Sequence, residues 1–284
     1  VHPCDSVSLT GAIEAMQERL VAPVLVGPRG KIEAAARDAG LSLDGVEIED
    51  APHSHASAAR AVEMVREGRV DALMKGSLHT DELMAAVVSS KTGLRTERRL
   101  SHVFVFDVPH YPKPLMITDA AINIYPTLEE KRDIIQNAIE LAQALGVDVP
   151  KAAILSAVET INPKLNSTIE AAALCKMADR GQITGGLLDG PLAFDNAISK
   201  AAAKTKKIHS AVAGDADILV APDLEAGNMI AKQLVYLAGA DCAGIVIGAR
   251  VPIVLTSRAD GALARVTSCA LAQLLHHHNK AVRA

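Results

Sequence analysis

Short apolar runs recur along the chain at residues 21–26, 70–74, 103–106, 115–118, 152–155, 218–221, 244–247 and 253–255, and longer stretches with helical spacing fill many of the intervals. A brief run that is apolar at every position suits a strand buried on both faces, as in a parallel sheet covered by helices. Parallel neighbours also need a crossover of a dozen or more residues, which the helical stretches supply. The alternation therefore predicts βαβ units and an α/β fold with a mainly parallel sheet. Composition fits this: 49% of residues are apolar but only 2% aromatic, with no tryptophan, so the core must be built from Ala, Val, Leu and Ile. With 284 residues, the chain can bury a large core and is long enough for two domains.

Helix punctuation agrees with this reading. Thr127-Leu128-Glu129-Glu130 and Ser167-Thr168-Ile169-Glu170 match the capping box, in which hydroxyl and carboxylate each satisfy an orphan backbone amide. Gly40, Gly68, Gly146, Gly181 and Gly239 follow helical patterns as stops. Between them, Leu128, Ile134, Ile135, Ile139, Leu141 and Leu145 define one face of a long helix, expected to bridge two domains. No internal repeat or Gly/Ser linker marks a boundary.

Several polar loops follow predicted strands. The run 251–256 ends in Ser257-Arg258-Ala259-Asp260, which delivers a hydroxyl, a guanidinium and a carboxylate together. The strand at 217–221 leads into Pro222-Asp223-Leu224-Glu225-Ala226-Gly227-Asn228. Lys75-Gly76-Ser77, Thr118-Asp119-Ala120-Ala121, Ser156-Ala157-Val158-Glu159 and Asp189-Gly190-Pro191 are placed similarly. Singly, each is as well explained by a capped strand-to-helix turn. Together they point to a ligand site at strand carboxyl ends. Lys75, Arg95 and Arg99 are candidate anchors for phosphate groups, with a solvated charged turn as the alternative for 94–99.

Other chemistries lose ground. There is no G-x-x-x-x-G-K-[ST] loop and no G-x-G-x-x-G after a strand. The net charge of -4 argues against generic nucleic-acid binding. Cys4, Cys175, Cys242 and Cys269 show neither a CxxC pair nor zinc-like spacing, so they read as separate thiols in a reducing compartment, and Cys175 and Cys269 as core rather than nucleophiles. His53-Ser54-His55 reads as capping or surface histidines, and His276-His277-His278 as a solvated helix end, so no metal site is expected. Lys232, Asp241 and Arg250 interrupt the most apolar region, so no membrane span is expected and a cytoplasmic location is. The opening Val1-His2-Pro3-Cys4 carries no signal-peptide pattern, and the chain is expected to belong to a longer or fused polypeptide.

The blocks MKG at 74–76, TDAAIN at 118–123, KMADRGQI at 176–183, DGPLAFDNA at 189–197, GDADILVAPDLEAGN at 214–228 and LTSRAD at 255–260 resemble, in this order, the phosphate acetyl/butyryltransferase family. The likeness extends across nearly the whole chain, and is nearer to the butyryl-type branch, and to the domain fused behind enoyl-CoA hydratase-like modules, than to short phosphotransacetylases. Those have an arginine in the loop matching residues 78–86, where this chain has none, and an acid several positions beyond the serine-arginine pair, where this chain has Asp260. The resemblance implies transfer of an acyl group between coenzyme A and inorganic phosphate, with no cofactor beyond coenzyme A as substrate, while the Ala-rich helical stretch 224–237 is expected to supply the two-fold interface of a homodimer. It also implies an isocitrate-dehydrogenase-like architecture of two α/β/α lobes around a cleft, expected at residues 1–127 plus 245–284 and at 128–244.

Such chemistry needs no metal or covalent intermediate, because phosphate is already a nucleophile at neutral pH. The protein must hold two polyanions together and stabilise the oxyanion formed at the thioester carbonyl. Arg258 suits the phosphate through its planar fork, and Ser257 suits the carbonyl oxygen or the thiol sulfur. Asp260 or Asp223 is the candidate base for the thiol proton, with Glu225 as a carboxylate neighbour that would raise its pKa. Lys75, Arg95, Arg99, Asp189, Glu225 and Asn228 complete the expected substrate-binding set. The rival readings are a metal-dependent dehydrogenase of the same broad fold, marked by a need for divalent metal and NAD, and a non-catalytic acyl-CoA-binding module.

Overall fold

A computed structural model of the chain describes residues 1–255 and 261–283. The backbone groups into two compact units, Val1–Arg98 with Ala243–Ala284, and Arg99–Cys242. The first unit opens with α1 (Ser6–Gln17), β1 (Val24–Gly27), α2 (Arg29–Ala39), β2 (Glu47–Asp50), α3 (Ser54–Arg66), β3 (Leu73–Met74) and α4 (Thr80–Val87). The second holds β4 (Ser101–Asp107), β5 (Leu115–Thr118), α5 (Leu128–Ala144), β6 (Lys151–Leu155), α6 (Asn166–Asp179), β7 (Leu187–Leu192), α7 (Phe194–Ile198), α8 (Lys200–Thr205), β8 (Ile218–Val220) and α9 (Leu224–Ala238). The chain then returns to the first unit with β9 (Asp241–Ile247), β10 (Ile253–Val254) and α10 (Ala262–Arg283).

In the first unit β1 and β2 pair in parallel, β10 runs parallel to β3, and β9 pairs antiparallel with β10 at Val246 and Ile253. Strand β2 was not expected, because its sequence Glu-Ile-Glu-Asp carries no apolar run. Its pairing with β1 supplies the backbone bonds, and its glutamates stand against Arg60 and Arg69 at 2.7–3.1 Å. Leu9, Ile13, Leu25 and Ile32 form the local core. Gly40 ends α2 in the left-handed region at φ 66°, as a glycine stop should.

The second unit is a sheet in the order β4-β5-β8-β6-β7, with β4 and β5 antiparallel and the rest parallel. The mainly parallel α/β class read from the run pattern is the one observed. Strands β5, β8 and β6 are buried at nearly every position, which is why they read as continuous apolar runs. One core cluster joins Phe106, Leu115, Ile117, Leu155, Leu219 and Ala231. The face of α5 that carries Ile134, Ile135, Ala138, Ile139 and Leu141 is also buried, and α5 lies wholly within this unit.

The capping box of α5 forms as expected: Glu130 N donates to Thr127 Oγ1 (3.3 Å) and Thr127 N to Glu130 Oε2 (2.8 Å). The second expected box, Ser167 to Glu170, does not. There α6 already starts at Asn166, because Thr168 Oγ1 donates back to the carbonyls of Leu165 and Asn162 and closes the preceding turn. Glu170 is taken instead by Asn166 Nδ2 and Lys131 Nζ. Asp189 also departs from expectation: it lies inside β7, opposite Ala153 of β6, rather than in a loop after a strand.

Candidate functional site

In the second unit, β5 and β8 are parallel neighbours in register at Thr118 and Val220, so their carboxyl ends deliver two loops side by side. Ala221 N donates to Thr118 O, and Leu224 N to Ile124 O, which ties the loop after β5 to the start of α9. Asn228 Nδ2 adds a bond to Ala120 O at 3.1 Å. The approach is close enough to require glycine at 227, where a Cβ would lie 2.6 Å from Asp119 O.

Asp119 organises the first loop. Its buried carboxylate accepts from Ala121 N (2.8 Å), Ile122 N (3.0 Å) and Asn123 N (3.2 Å), and from Asn123 Nδ2 (2.6 Å). Asn123 Nδ2 also donates to Leu100 O (2.8 Å), and Oδ1 accepts from Arg99 Nε (2.7 Å). Arg99 is half-exposed, and its Nη1 lies 3.1 Å from Glu130 Oε1. The structure thus holds a cation at the edge of this loop pair through a buried carboxylate and carboxamide. Beneath it, His102 is buried, with its ring 4.2 Å from that of Phe104 and Nδ1 without a hydrogen-bond partner. Burial holds its pKa well below the usual imidazole value, against the pull of the Asp119 charge.

Of the residues expected from sequence, Asp223, Glu225, Asn228 and Arg99 belong to this pair of loops and their borders. Asp223 is the N-cap of α9, with Oδ1 accepting from Ala226 N at 2.8 Å. Glu225 is exposed and receives a long bond of 3.5 Å from Tyr125 Oη. Asp189 stands apart, since β6 lies between its strand and β8. It accepts from Gly190 N. Partial burial, to which the Asp189 charge adds, pushes the Cys175 thiol up to about 12, which leaves that cysteine protonated and unreactive at neutral pH.

Asp119, Asn123 and His102 were not in the expected set. Asp119 has a recognisable signal in sequence: an aspartate right after a buried strand, with short residues behind it, is placed to gather the next backbone amides as an Asx turn. Nothing in the sequence joins Asn123 to Arg99.

In the first unit, Lys75 directly follows β3. It is buried, its Nζ donates to Gly76 O (3.2 Å) and Leu78 O (3.4 Å), and its N donates to Val254 O of β10. Arg95 is exposed, in a segment bridged to Ala249. Ser257, Arg258 and Asp260 lie outside the described residues. A cavity of about 470 Å³ also belongs to this unit, with Val24, Leu25, Met74, Ala272 and His276 in its lining. It is a slot between the edges of β1 and β3, which His2 N and Val1 N join through Val26 O and Met74 O at 2.7 Å each.

Among the described residues no group of three His, Cys, Asp or Glu side chains is placed to share a metal ion, and no helix is long and apolar enough to cross a membrane. His53, one of the paired histidines, caps α3 through Nδ1 and Ala56 N.

Known proteins share both the sequence and the fold. The family model described as phosphate acetyl/butaryl transferase matches residues 54–273. A phosphate acetyltransferase from Rhizobium meliloti is 63% identical over 99% of this chain and 89% of its own length. A phosphate butyryltransferase from Clostridium acetobutylicum is 41% identical over 95% of this chain and 90% of its own. Among solved structures, a branched-chain phosphotransacylase from Enterococcus faecalis V583 superposes with a TM-score of 0.85 at 31% identity, covering 98% of this chain and 97% of the other. The match spans the Asp119 loop, the α9 N-terminus, Lys75 and the serine-arginine segment alike, and by it the chain belongs to the phosphate acetyl/butaryl transferase family.

Proposed function

We propose that this protein moves an acetyl or other short-chain acyl group between coenzyme A and inorganic phosphate, by direct attack of phosphate on the thioester in a ternary complex. The observation that carries this is the 63% identity over 99% of the chain to a phosphate acetyltransferase. The residues supply what the reaction asks for. Arg258 takes phosphate in its bidentate fork, and Ser257 donates to the developing oxyanion or to the sulfur. Arg99, Lys75 and Arg95 answer the remaining phosphate charge, with Glu225 and Asn228 completing the substrate contacts. Asp223 spends Oδ1 on capping α9, which favours Asp260 as the group that takes the thiol proton in the reverse direction.

The acyl group is small, since relatives bear both the acetyl and the butyryl name. The active form is a homodimer paired through α9, whose Met229, Tyr236 and Leu237 are 65%, 75% and 80% exposed, an apolar display that a partner subunit would cover. Its four cysteines are free thiols, which suits the cytoplasm.

The test is release of free thiol from acetyl-CoA and butyryl-CoA with and without phosphate. Thiol release that depends on phosphate, with acyl phosphate as co-product, supports the assignment. Binding of acyl-CoA without turnover would make the protein a binding module instead. In the reverse assay, Asp260→Asn should lose far more turnover than Asp223→Asn.

A further inference from the structure

The side chain of Asn123 is 2% exposed, and its amide has only one satisfactory orientation. Nδ2 faces two acceptors, Asp119 Oδ2 and Leu100 O, so Oδ1 must point the other way, where it meets Arg99 Nε at 2.7 Å. Asp119 is itself fixed by three successive backbone amides. A chain of buried polar contacts thus runs from the turn after β5 out to an exposed guanidinium. A bond to Nε fixes the plane of the fork as well as its position, and in a long flexible side chain that orientation is otherwise lost to rotamer freedom.

The neutral carboxamide matters as much as its geometry. It orients the cation without cancelling its charge, whereas a carboxylate at 123 would do both and would also stand 2.6 Å from Asp119. Glu130 touches Nη1 alone, and its other oxygen is engaged by Thr127 N. Among the described residues Nη2 makes no hydrogen bond, so one corner of the fork is left for an incoming acceptor.

We infer that Asp119 and Asn123 are positioning residues that aim the Arg99 guanidinium at a phosphate oxygen of a substrate. This rests on the reading of Arg99 as an anion anchor. The oxygen belongs either to inorganic phosphate or to coenzyme A, and separate KM values for the two substrates tell these apart.

The experiment is a double-mutant cycle in the full chain, with KM for phosphate, KM for acyl-CoA and kcat measured for each variant. Arg99→Ala should raise one KM by about 10- to 100-fold. If it raises neither, the anchor reading fails whatever Asn123 does. Given that rise, Asn123→Ser should raise the same KM more than it lowers kcat, and should add little in the Arg99→Ala background. A coupling below about threefold, or an unchanged KM in Asn123→Ser, overturns the positioning role.

If Asn123→Ser fails to fold, Arg99→Lys serves, since it keeps the charge and the bonds of Asn123 to Asp119 and Leu100 but removes the Nε bond and the fork. A KM near that of Arg99→Ala supports the inference, and a KM near wild type overturns it. Independently of activity, the Arg99 Nε–Hε NMR signal should exchange slowly with solvent in the native chain; fast exchange there would also count against it.

Discussion

Three side chains separate what chemistry and folding each ask of this protein. Arg258 and Ser257 carry the proposed chemistry, so Ser257→Ala should lower kcat by about 10²- to 10³-fold and Arg258→Ala should raise KM for phosphate, both with little change in thermal midpoint. A drop in midpoint with unchanged kinetics would argue for a structural role instead. His102 behaves in the opposite way, because burial depresses its folded-state pKa below the ordinary 6.5. The unfolded chain then takes up the proton first on acidification. The contribution of His102 to stability is therefore complete above pH 6.5 and is lost as pH falls towards its depressed folded value, with a slope of at most about 1.4 kcal/mol per pH unit. His102→Phe should flatten that part of the midpoint-against-pH curve at little cost, since Nδ1 has no hydrogen bond to lose and Phe104 already packs on the ring. A wild-type curve that is flat between pH 7 and 5 would refute this. Residues such as Asp223 were legible in sequence because local spacing defines a cap. The Arg99–Asn123 bond was not, since it spans 24 positions and depends on how β4 and β5 pair.

The elements show the same division between local and distant causes. Strands β5, β6 and β8 could be read directly, because burial on both faces leaves an unbroken apolar run. Strands β2 and β7 could not. One is acidic and held by cross-pairing with arginines, and the other contains Gly190 and Pro191 at the edge of its sheet, where a missing N–H is tolerated. The capping box of α5 was correctly placed, while that of α6 failed because Ser167, its expected cap, meets Ser156 Oγ instead and Thr168 bonds back to Leu165 O. Helix α9 carries the prediction at this scale. Tyr236→Asp with Leu237→Glu should convert the proposed dimer to a monomer in sedimentation or light scattering, with helix content unchanged. A native chain that already sediments as a monomer would rule out α9 as the interface.

For the whole molecule, the α/β class and the family were both legible, the class from periodicity and the family from motif blocks spread over the chain. Acyl preference has no local signature at all. Successive acyl groups differ by single methylenes, each worth about 1–3 kcal/mol. Specificity constants from acetyl-CoA to butyryl-CoA should therefore lie within a few hundredfold per step, and an absolute cut-off at one length would mean that a polar group closes the acyl pocket. The second unit is one contiguous stretch, whereas the first needs β9, β10 and α10 from the far end of the chain to close its sheet and core. On the ribosome, Arg99–Cys242 can thus mature while residues 1–98 still wait for their complement, which makes that waiting segment the natural client of chaperones during translation.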